Sequence, residues 1–377
     1  MKQPRLLRGT LALLAVFFTV ATAPAQQLAG RWPVERAQAW ERETGWLVGA
    51  NYAPATAINQ LEMWQAETWD PRRIDQELGW ARGLGMNTMR VFLHDLAWRQ
   101  DPQGFLTRVD EFLAIAQRHG IRPMLVLFDA VWDPFPRPGP QRQPVPGLHN
   151  SGWVQSPGVE ILRDSMRYDA ELKPYVQAVV GRFASDRRVV AWDLFNEPDN
   201  ANGGSWGAFE PVNKGELALV LLRRTFGWAR EMNPVQPLTA APWKGDWLDP
   251  SQTAPITTFM LENSDIISFH SYDPLTRLQQ VVAALRRYGR PIVCTEYMAR
   301  PRGSTFESIL PYFKEQGVDA YNWGFVSGKS QTIYPWDSWQ NKYPAEPPVW
   351  FHDIFRTDGT PYRQTEVELI RALTSGR

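Results

Sequence analysis

The chain of 377 residues is poor in several features that mark particular classes of protein. Its single cysteine, Cys294, rules out an intramolecular disulfide. It has only five histidines, and its two His-Asp pairs, His94-Asp95 and His352-Asp353, lack the spacing of a metal-binding motif. No glycine-rich phosphate loop follows the first predicted strand, which argues against a dinucleotide-binding fold. We therefore expect neither a metal nor an organic cofactor.

The N-terminus begins with basic residues and continues with a short apolar run, Leu11 to Val20. This run is too short to predict a membrane span. The small-residue motif Ala23-Pro24-Ala25 then offers a cleavage site. The pattern predicts a signal peptide over residues 1–25. It also predicts a mature domain over residues 26–377, which is exported to the periplasm or the medium and has no membrane attachment.

Basic and acidic residues balance at 40 each, so the composition gives no reason to expect a nucleic-acid partner. Tryptophan, in contrast, is abundant, with 18 residues. Tryptophan fills protein cores, but its flat face also stacks on sugar rings. Many of these side chains fall in predicted loops, where a core role explains them poorly: Trp64, Trp69, Trp132, Trp153, Trp206, Trp243, Trp247, Trp336 and Trp339. This distribution favours a carbohydrate-binding cleft.

Apolar segments and helical patterns alternate along the chain. The apolar segments suit strands that are buried on both faces: Gly45–Tyr52, Asn87–Leu93, Arg122–Phe128, Val189–Phe195, Gln236–Ala241, Ile266–His270, Pro291–Thr295 and Ala320–Phe325. The helical patterns are Arg72–Gly83, Arg108–His119, Ala170–Phe183, Lys214–Met232, Leu275–Tyr288, Thr305–Gln316, a final one at Glu366–Leu373 and a weaker one at Ile256–Glu262. Strict alternation implies a parallel sheet, and eight units indicate a single-domain α/β protein with a (β/α)8 TIM barrel.

Two predicted connections are much longer than usual, over residues 129–168 and 327–365. Both follow the C-terminal end of a predicted strand, and both are rich in aromatic residues. Disorder is one interpretation of the proline-rich first connection, but its interleaved tryptophans favour an ordered wall of a cleft. The sequence leaves open whether the two loops close over that cleft.

Two glutamates, Glu197 and Glu296, stand at the ends of the fourth and seventh predicted strands. Pro198 cannot donate a ladder hydrogen bond, so it should end the fourth strand and leave Glu197 at its rim. Strands three apart face each other across the mouth of an eight-stranded barrel. Two facing carboxyl groups are what double-displacement hydrolysis of a glycoside needs, one as proton donor and one as nucleophile.

The motif Asn196-Glu197-Pro198 on the fourth strand, with Glu296 on the seventh, resembles the clan A glycoside hydrolases, most closely the cellulase-like family 5. The resemblance extends over essentially the whole predicted mature chain. It implies that Glu197 is the general acid/base, that Glu296 is the nucleophile, and that Asn196 holds the sugar 2-hydroxyl.

Other positions match the same family pattern. Arg90, on the second strand, resembles the arginine that keeps the nucleophile ionised. His270 and Tyr272 end the sixth strand and resemble the His-x-Tyr motif of the family, which implies contacts with the two glutamates. Trp323, on the eighth strand, resembles the tryptophan beneath the sugar at the cleavage point. The third strand lacks the histidine found in many members, and His94, beyond the second strand, is the candidate to replace it.

The leading hypothesis is therefore a secreted retaining β-glycosidase whose partner is a β-linked glycan or oligosaccharide of glucan, mannan or xylan type. A non-catalytic carbohydrate-binding barrel is an alternative that would need neither glutamate. A metal- or phosphate-dependent barrel enzyme is another, but the predicted strands carry no Schiff-base lysine. Sugar identity, linkage, endo or exo action and oligomeric state stay open.

Overall fold

The computed structural model describes residues 28–375, and its centre is a ring of short parallel strands. The strands are β1 (Val48–Tyr52), β2 (Thr88–Phe92), β3 (Met124–Val126), β4 (Ala191–Asp193), β5 (Leu238–Thr239), β6 (Ile267–His270), β7 (Ile292–Tyr297) and β8 (Val318–Asn322). Every strand residue is buried, as expected for parallel strands that are covered on both faces. The predicted signal peptide lies outside the described residues.

The strands lie in the order β5-β4-β3-β2-β1-β8-β7-β6, so the first and last strands are neighbours. The ring is nearly closed between its two end strands, β5 and β6. There the Asp265 amide donates to the Leu238 carbonyl at 2.8 Å, and Thr239 Oγ1 donates to the Ile266 carbonyl at 2.9 Å. This topology confirms the predicted (β/α)8 barrel.

Helices cover the outside of the ring and fill several loops. They are α1 (Val34–Thr44), α2 (Gln60–Trp64), α3 (Pro71–Gly83), α4 (Asp95–Gln100), α5 (Pro102–Arg118), α6 (Val159–Leu162), α7 (Tyr168–Glu171), α8 (Lys173–Arg182), α9 (Lys214–Glu231), α10 (Pro255–Asn263), α11 (Leu275–Leu285), α12 (Phe306–Gln316) and α13 (Gln364–Thr374). Local signals explain several ends: Asp70 caps α3 ahead of Pro71, and Thr305 forms a capping box on α12. None of the helices in residues 28–375 is long and apolar enough to cross a membrane.

Helix α1 covers the N-terminal end of the barrel. Its Trp40 packs against a buried cluster that includes Leu47, Met124, Ile266 and Tyr321. This end of the barrel is therefore closed by packed side chains.

Five strands (β2, β3, β4, β5 and β8) end earlier than the sequence predicts, and the ends of β4 and β8 bear on the site. β4 stops at Asp193, so Glu197 lies in the following turn, in a left-handed conformation with a φ of 41°. β8 stops at Asn322, so Trp323 follows this strand instead of lying on it. Asn322 Nδ2 donates to the Gly324 carbonyl at 2.5 Å, and Gly324 has a φ of 78°, so the chain turns there.

The two long connections are ordered and hydrogen-bonded to each other. We call residues 127–158 the β3 loop and residues 323–363 the β8 loop. The His149 amide donates to Ser338 Oγ at 3.0 Å, and Trp339 Nε1 donates to the His149 carbonyl at 2.9 Å. The Asn150 amide donates to the Ser330 carbonyl at 2.8 Å. We call this junction the bridge.

A buried ion pair fastens the β8 loop to the rest of the barrel. Arg300, after β7, contacts Glu366 of α13 at 2.6 Å, and both side chains are almost completely buried. The same guanidinium donates to the carbonyls of Trp350 at 3.1 Å and Asp353 at 2.8 Å. The pair therefore ties the β8 loop and the last helix to one cation.

We expect Arg300→Ala to lower the free energy of unfolding by about 3 kcal/mol, because it leaves the buried Glu366 charge with only the half-exposed Arg363 guanidinium, 3.5 Å away. The matched control is Arg187→Ala, which removes a surface pair with Glu43 whose side chains are 85% and 74% exposed. Its effect should stay below about 1 kcal/mol. Guanidinium unfolding curves measure both values, and equal losses would contradict the structural role of Arg300.

Candidate active site

The two glutamates singled out from the sequence lie close together at the C-terminal end of the barrel. A carboxylate oxygen of Glu197 lies within 4.8 Å of one from Glu296. His270 Nδ1 lies 2.8 Å from Glu197 and 3.4 Å from Glu296. Carboxyl groups in retaining glycosidases are about 5–5.5 Å apart, whereas inverting enzymes separate them by about 6.5–9.5 Å. The oxygen–oxygen distance of at most 4.8 Å is closer to the retaining range than to the inverting one.

Backbone pairing after β3 and β4 holds Glu197 in position. The Asn196 amide donates to the Phe128 carbonyl at 2.8 Å, which continues the contact of the two strands beyond their ends. The chain then turns, and the Asn200 amide donates to the Glu197 carbonyl at 2.9 Å. A left-handed glutamate is uncommon, and such backbone strain concentrates at functional sites.

The surroundings of Glu197 favour its protonated form. Burial raises the pKa of Glu197 to about 7, although Asn200 Nδ2 donates to its Oε2 at 2.6 Å and favours the carboxylate. His270 Nδ1 lies 2.8 Å from Glu197 Oε1. Burial also lowers the pKa of His270 to about 4, so this imidazole is neutral near neutral pH. Glu197 can therefore carry a proton at neutral pH.

Glu296 is buried too, but it receives stronger support as an anion. Burial raises the pKa of Glu296 to about 6, and the nearby Glu197 charge acts in the same direction. Arg90 opposes this shift with Nη1 at 3.0 Å from Oε1, and Tyr272 does so by donating its hydroxyl to Oε2 at 2.8 Å. Of the two carboxyl groups, Glu296 should therefore lose its proton first, and Glu197 should keep its proton to a higher pH.

The Arg90 guanidinium is held by hydrogen bonds in every direction. Nε and Nη2 donate to Asp193 Oδ2 at 3.0 and 2.7 Å, and Nη1 donates to Asn51 Oδ1 at 2.8 Å as well as to Glu296. Nη2 also donates to Asn196 Oδ1 at 2.7 Å. All five N–H groups are used, so the cation has a fixed place beside Glu296. Its charge opposes a divalent ion there, so these residues suit acid–base chemistry better than metal binding.

A cavity of about 530 Å³ opens above the two glutamates. Its walls combine polar side chains with seven aromatic ones, Trp132, Trp153, Trp243, Tyr272, Trp323, Trp336 and Trp339. Trp132 of the β3 loop and Trp339 of the β8 loop stack with their ring centroids 5.5 Å apart. Other tryptophans in predicted loops have a different place, since Trp64 and Trp247 are completely buried in the core.

A family model described as Cellulase (glycosyl hydrolase family 5) matches residues 51–330. The chain belongs to glycosyl hydrolase family 5. Over 93 residues it is 29% identical to mannan endo-1,4-β-mannosidase A of Emericella nidulans. That match covers 25% of this chain and 22% of the fungal enzyme, so the chain aligns with about a fifth of the length of that relative.

Solved structures show the same barrel fold at low sequence identity. An exo-β-1,4-mannosidase from Opitutaceae bacterium strain TAV5 superimposes with a TM-score of 0.57 at 19% identity, over 88% of this chain and 60% of that one. A β-mannanase from the blue mussel Mytilus edulis gives a TM-score of 0.56 at 13% identity, over 88% and 92% of the two chains. These similarities establish the fold.

Asp129 is a site residue that the sequence reasoning missed. It follows β3, where many family 5 members carry a histidine, and it lines the cavity. Its Oδ1 accepts from Asn196 Nδ2 at 2.9 Å, and its Oδ2 accepts from Trp153 Nε1 at 2.6 Å. Burial raises the pKa of Asp129 to about 6. Asp129 thus orients the amide next to Glu197, and its place directly after an apolar strand was the signal that could have revealed it.

His94 does not replace the missing histidine, so this expectation from the sequence was wrong. Its Nδ1 accepts a hydrogen bond from the Leu96 amide at 3.1 Å, which caps α4, and it lies 3.3 Å from Asp95. The side chain is completely buried and is not part of the cavity wall. Local capping, not substrate binding, explains this histidine.

Proposed function

We propose that this protein is an exported, retaining β-glycoside hydrolase that cleaves a mannan-type β-linked glycan or oligosaccharide. The observation that carries the proposal is the close approach of the Glu197 and Glu296 carboxyl groups, together with their different hydrogen-bond partners. Membership of family 5 supports hydrolysis of glycosidic bonds.

In the first step, Glu197 gives its proton to the departing glycosidic oxygen while a carboxylate oxygen of Glu296 attacks the anomeric carbon. The bond from that carbon to the leaving oxygen breaks, and a glycosyl ester forms on Glu296. In the second step, Glu197 takes a proton from water, the water oxygen attacks the anomeric carbon, and Glu296 leaves as a carboxylate. Asn196 is placed to bind the sugar 2-hydroxyl, because Arg90 and Asp129 fix both ends of its amide.

The choice of mannose rests on relatives. The curated relative is a mannan endo-1,4-β-mannosidase, and the structural neighbours include an exo-β-1,4-mannosidase and several β-mannanases. Export rests on the N-terminal pattern alone. It would be tested by N-terminal sequencing of the mature protein from the native host, which should begin near Gln26.

The decisive experiment is to incubate the protein with activated 2-deoxy-2-fluoro β-glycosides of mannose, glucose, xylose and galactose and to measure its intact mass. The fluorine slows hydrolysis of the glycosyl ester, so the matching sugar should remain on the peptide that contains Glu296. The variant Glu296→Gln should stay unlabelled. If no reagent labels the protein and it hydrolyses no β-glycoside, it is a non-catalytic carbohydrate-binding barrel.

The two raised pKa values predict a narrow pH optimum. Activity should fall as the pH drops below about 6, because Glu296 becomes protonated, and as it rises above about 7, because Glu197 loses its proton. The limbs belong to the interacting pair and not to single residues. The measurement is kcat/KM against pH for an oligosaccharide, whose leaving oxygen has to be protonated.

The variant Glu197→Gln provides the control for this profile. With a leaving group that needs no proton, it should retain the acidic limb and lose the alkaline one. A wild-type profile that stays flat from pH 7 to about pH 9 would contradict the assignment of Glu197 as the acid.

A further inference from the structure

The bridge between the β3 and β8 loops closes one side of the cavity. The strands β2 and β1 lie between β3 and β8 in the ring, so the bridge passes over their C-terminal ends. His149, Asn150 and Trp339, which form it, also line the cavity. β1, beneath the bridge, stands three strands from β4, so this part of the closed side lies across the site from Glu197. The bridge residue Trp339 also reaches the segment after β4, where its ring centroid lies 6.2 Å from that of Trp206.

Little space is left beneath the bridge. Three aromatic side chains, Phe92, Trp153 and Trp323, pack edge to face there, with ring centroids 5.4–6.1 Å apart. The cavity behind them measures only about 30 Å³ and is bounded by Asn150 and Ser330 of the bridge. This volume can hold about one or two water molecules and cannot hold a sugar ring.

The opposite rim of the cavity is open. The segments after β5, β6 and β7 contribute Trp243, Lys244, Asp273 and Arg302 to the wall, and Lys244 and Arg302 are exposed to solvent. Trp243 Nε1 donates to Asp199 Oδ1 at 2.9 Å. Because Asp199 follows Glu197 by two residues, this hydrogen bond holds the indole near the acid. A flat aromatic side chain at the entrance suits a sugar that leaves next to the acid.

The chemistry sets the direction of the substrate. The oxygen that Glu197 protonates belongs to the leaving sugar, so the reducing-end part of the substrate must lie on the Glu197 side. The non-reducing end of the attacked sugar then points away from Glu197, towards the bridge. Because the bridge leaves no room for another sugar there, the attacked sugar has to be the terminal one.

We infer that this enzyme is exo-acting and removes single sugars from the non-reducing end of its substrate, with the bridge as the specificity-determining element. The inference rests on the proposed glycosidase function and goes beyond it. His149, Ser338 and Trp339 would block the binding of a second sugar on the non-reducing side of the attacked one. Trp243 receives the first sugar of the leaving part.

The test uses β-1,4-mannohexaose with a fluorescent label at its reducing end, or the equivalent hexasaccharide of whichever sugar labels Glu296. The first products should be free monosaccharide and the labelled pentasaccharide, followed by shorter labelled chains in order. Labelled di- or trisaccharide among the first products would overturn exo action while leaving the glycosidase function intact. No turnover of the hexasaccharide or of aryl glycosides would overturn the proposed function itself.

Variants locate the cause of the cleavage pattern. The double variant Ser338→Ala/Trp339→Ala removes two bridge hydrogen bonds and the stack on Trp132. Among its first products, the fraction of labelled tetrasaccharide, which forms when two sugars are removed in one step, should be at least about tenfold higher than for wild type. The control Trp243→Ala should raise KM for the hexasaccharide and keep the one-sugar pattern. A cleavage pattern in the double variant that equals wild type, in protein with an unchanged melting transition, would overturn the role of the bridge.

Discussion

Replacement of Glu296 by glutamine is expected to lower kcat by roughly 10⁴-fold or more for every substrate, because no other group can form the glycosyl ester. The amide keeps the size of the side chain and can still accept from Tyr272, so the fold should be preserved. The loss should be as large for an activated aryl glycoside as for an oligosaccharide, since both require attack by the same oxygen. Steady-state rates with both substrates make the comparison.

The control for this variant is Glu307→Gln, which alters an exposed glutamate at the start of α12 and should leave the rates unchanged. Residual activity of the Glu296→Gln protein within tenfold of wild type would show that another group attacks the sugar. In that case the roles of the two carboxyl groups would need to be reassigned.

Removal of the acid should have an effect that depends on the leaving group. For an oligosaccharide, Glu197→Ala is expected to lower kcat/KM by roughly 10²–10⁴-fold, because the departing oxygen no longer receives a proton. For a dinitrophenyl glycoside, which departs readily as an anion, formation of the glycosyl ester should be almost unchanged. Its hydrolysis should become rate-limiting and appear as a burst in rapid-mixing experiments.

Azide extends this test, because it attacks the ester without help from a base. With Glu197→Ala and the dinitrophenyl substrate, added azide should raise the turnover and yield a glycosyl azide of β configuration. An α-configured product would mean that the first step leaves no ester on Glu296, and the retaining mechanism would be wrong. The Glu296→Gln protein should show no such rescue with β product.

Much of this site could be predicted because of where polar residues interrupt apolar strands. A parallel strand buried on both faces accepts few polar side chains, so Glu197 and Glu296 at the ends of apolar segments have no ready structural explanation. The alternation of elements then brings the C-terminal ends of the strands to one edge. Arg90 is recognisable for a related reason, since an arginine within a buried strand needs anionic partners, and it has Asp193 and Glu296.

Other features depend on contacts that no local pattern encodes. His94 follows an apolar strand just as Asp129 does, yet a helix begins immediately after it, and its ring is used as a cap. The bridge joins His149 to Ser338, which are 189 residues apart in the sequence. Neither loop has a periodic sequence pattern from which its path could be inferred. The aromatic content predicted the walls of a cleft, but only the structure shows which side they close.

The fixed position of Arg90 has a consequence for how charge moves during the reaction. Before the first step, this cation faces anionic Asp193 and Glu296, while Glu197 is neutral. Once the ester forms, Glu296 has lost its charge and Glu197 has gained one, so the total charge of the buried site is the same. A low-dielectric pocket therefore never has to accommodate an extra ion. Because the esterified Glu296 no longer repels a negative charge on Glu197, the pKa of Glu197 should fall in the glycosyl-enzyme. Glu197 is then ionised and ready to accept a proton from water.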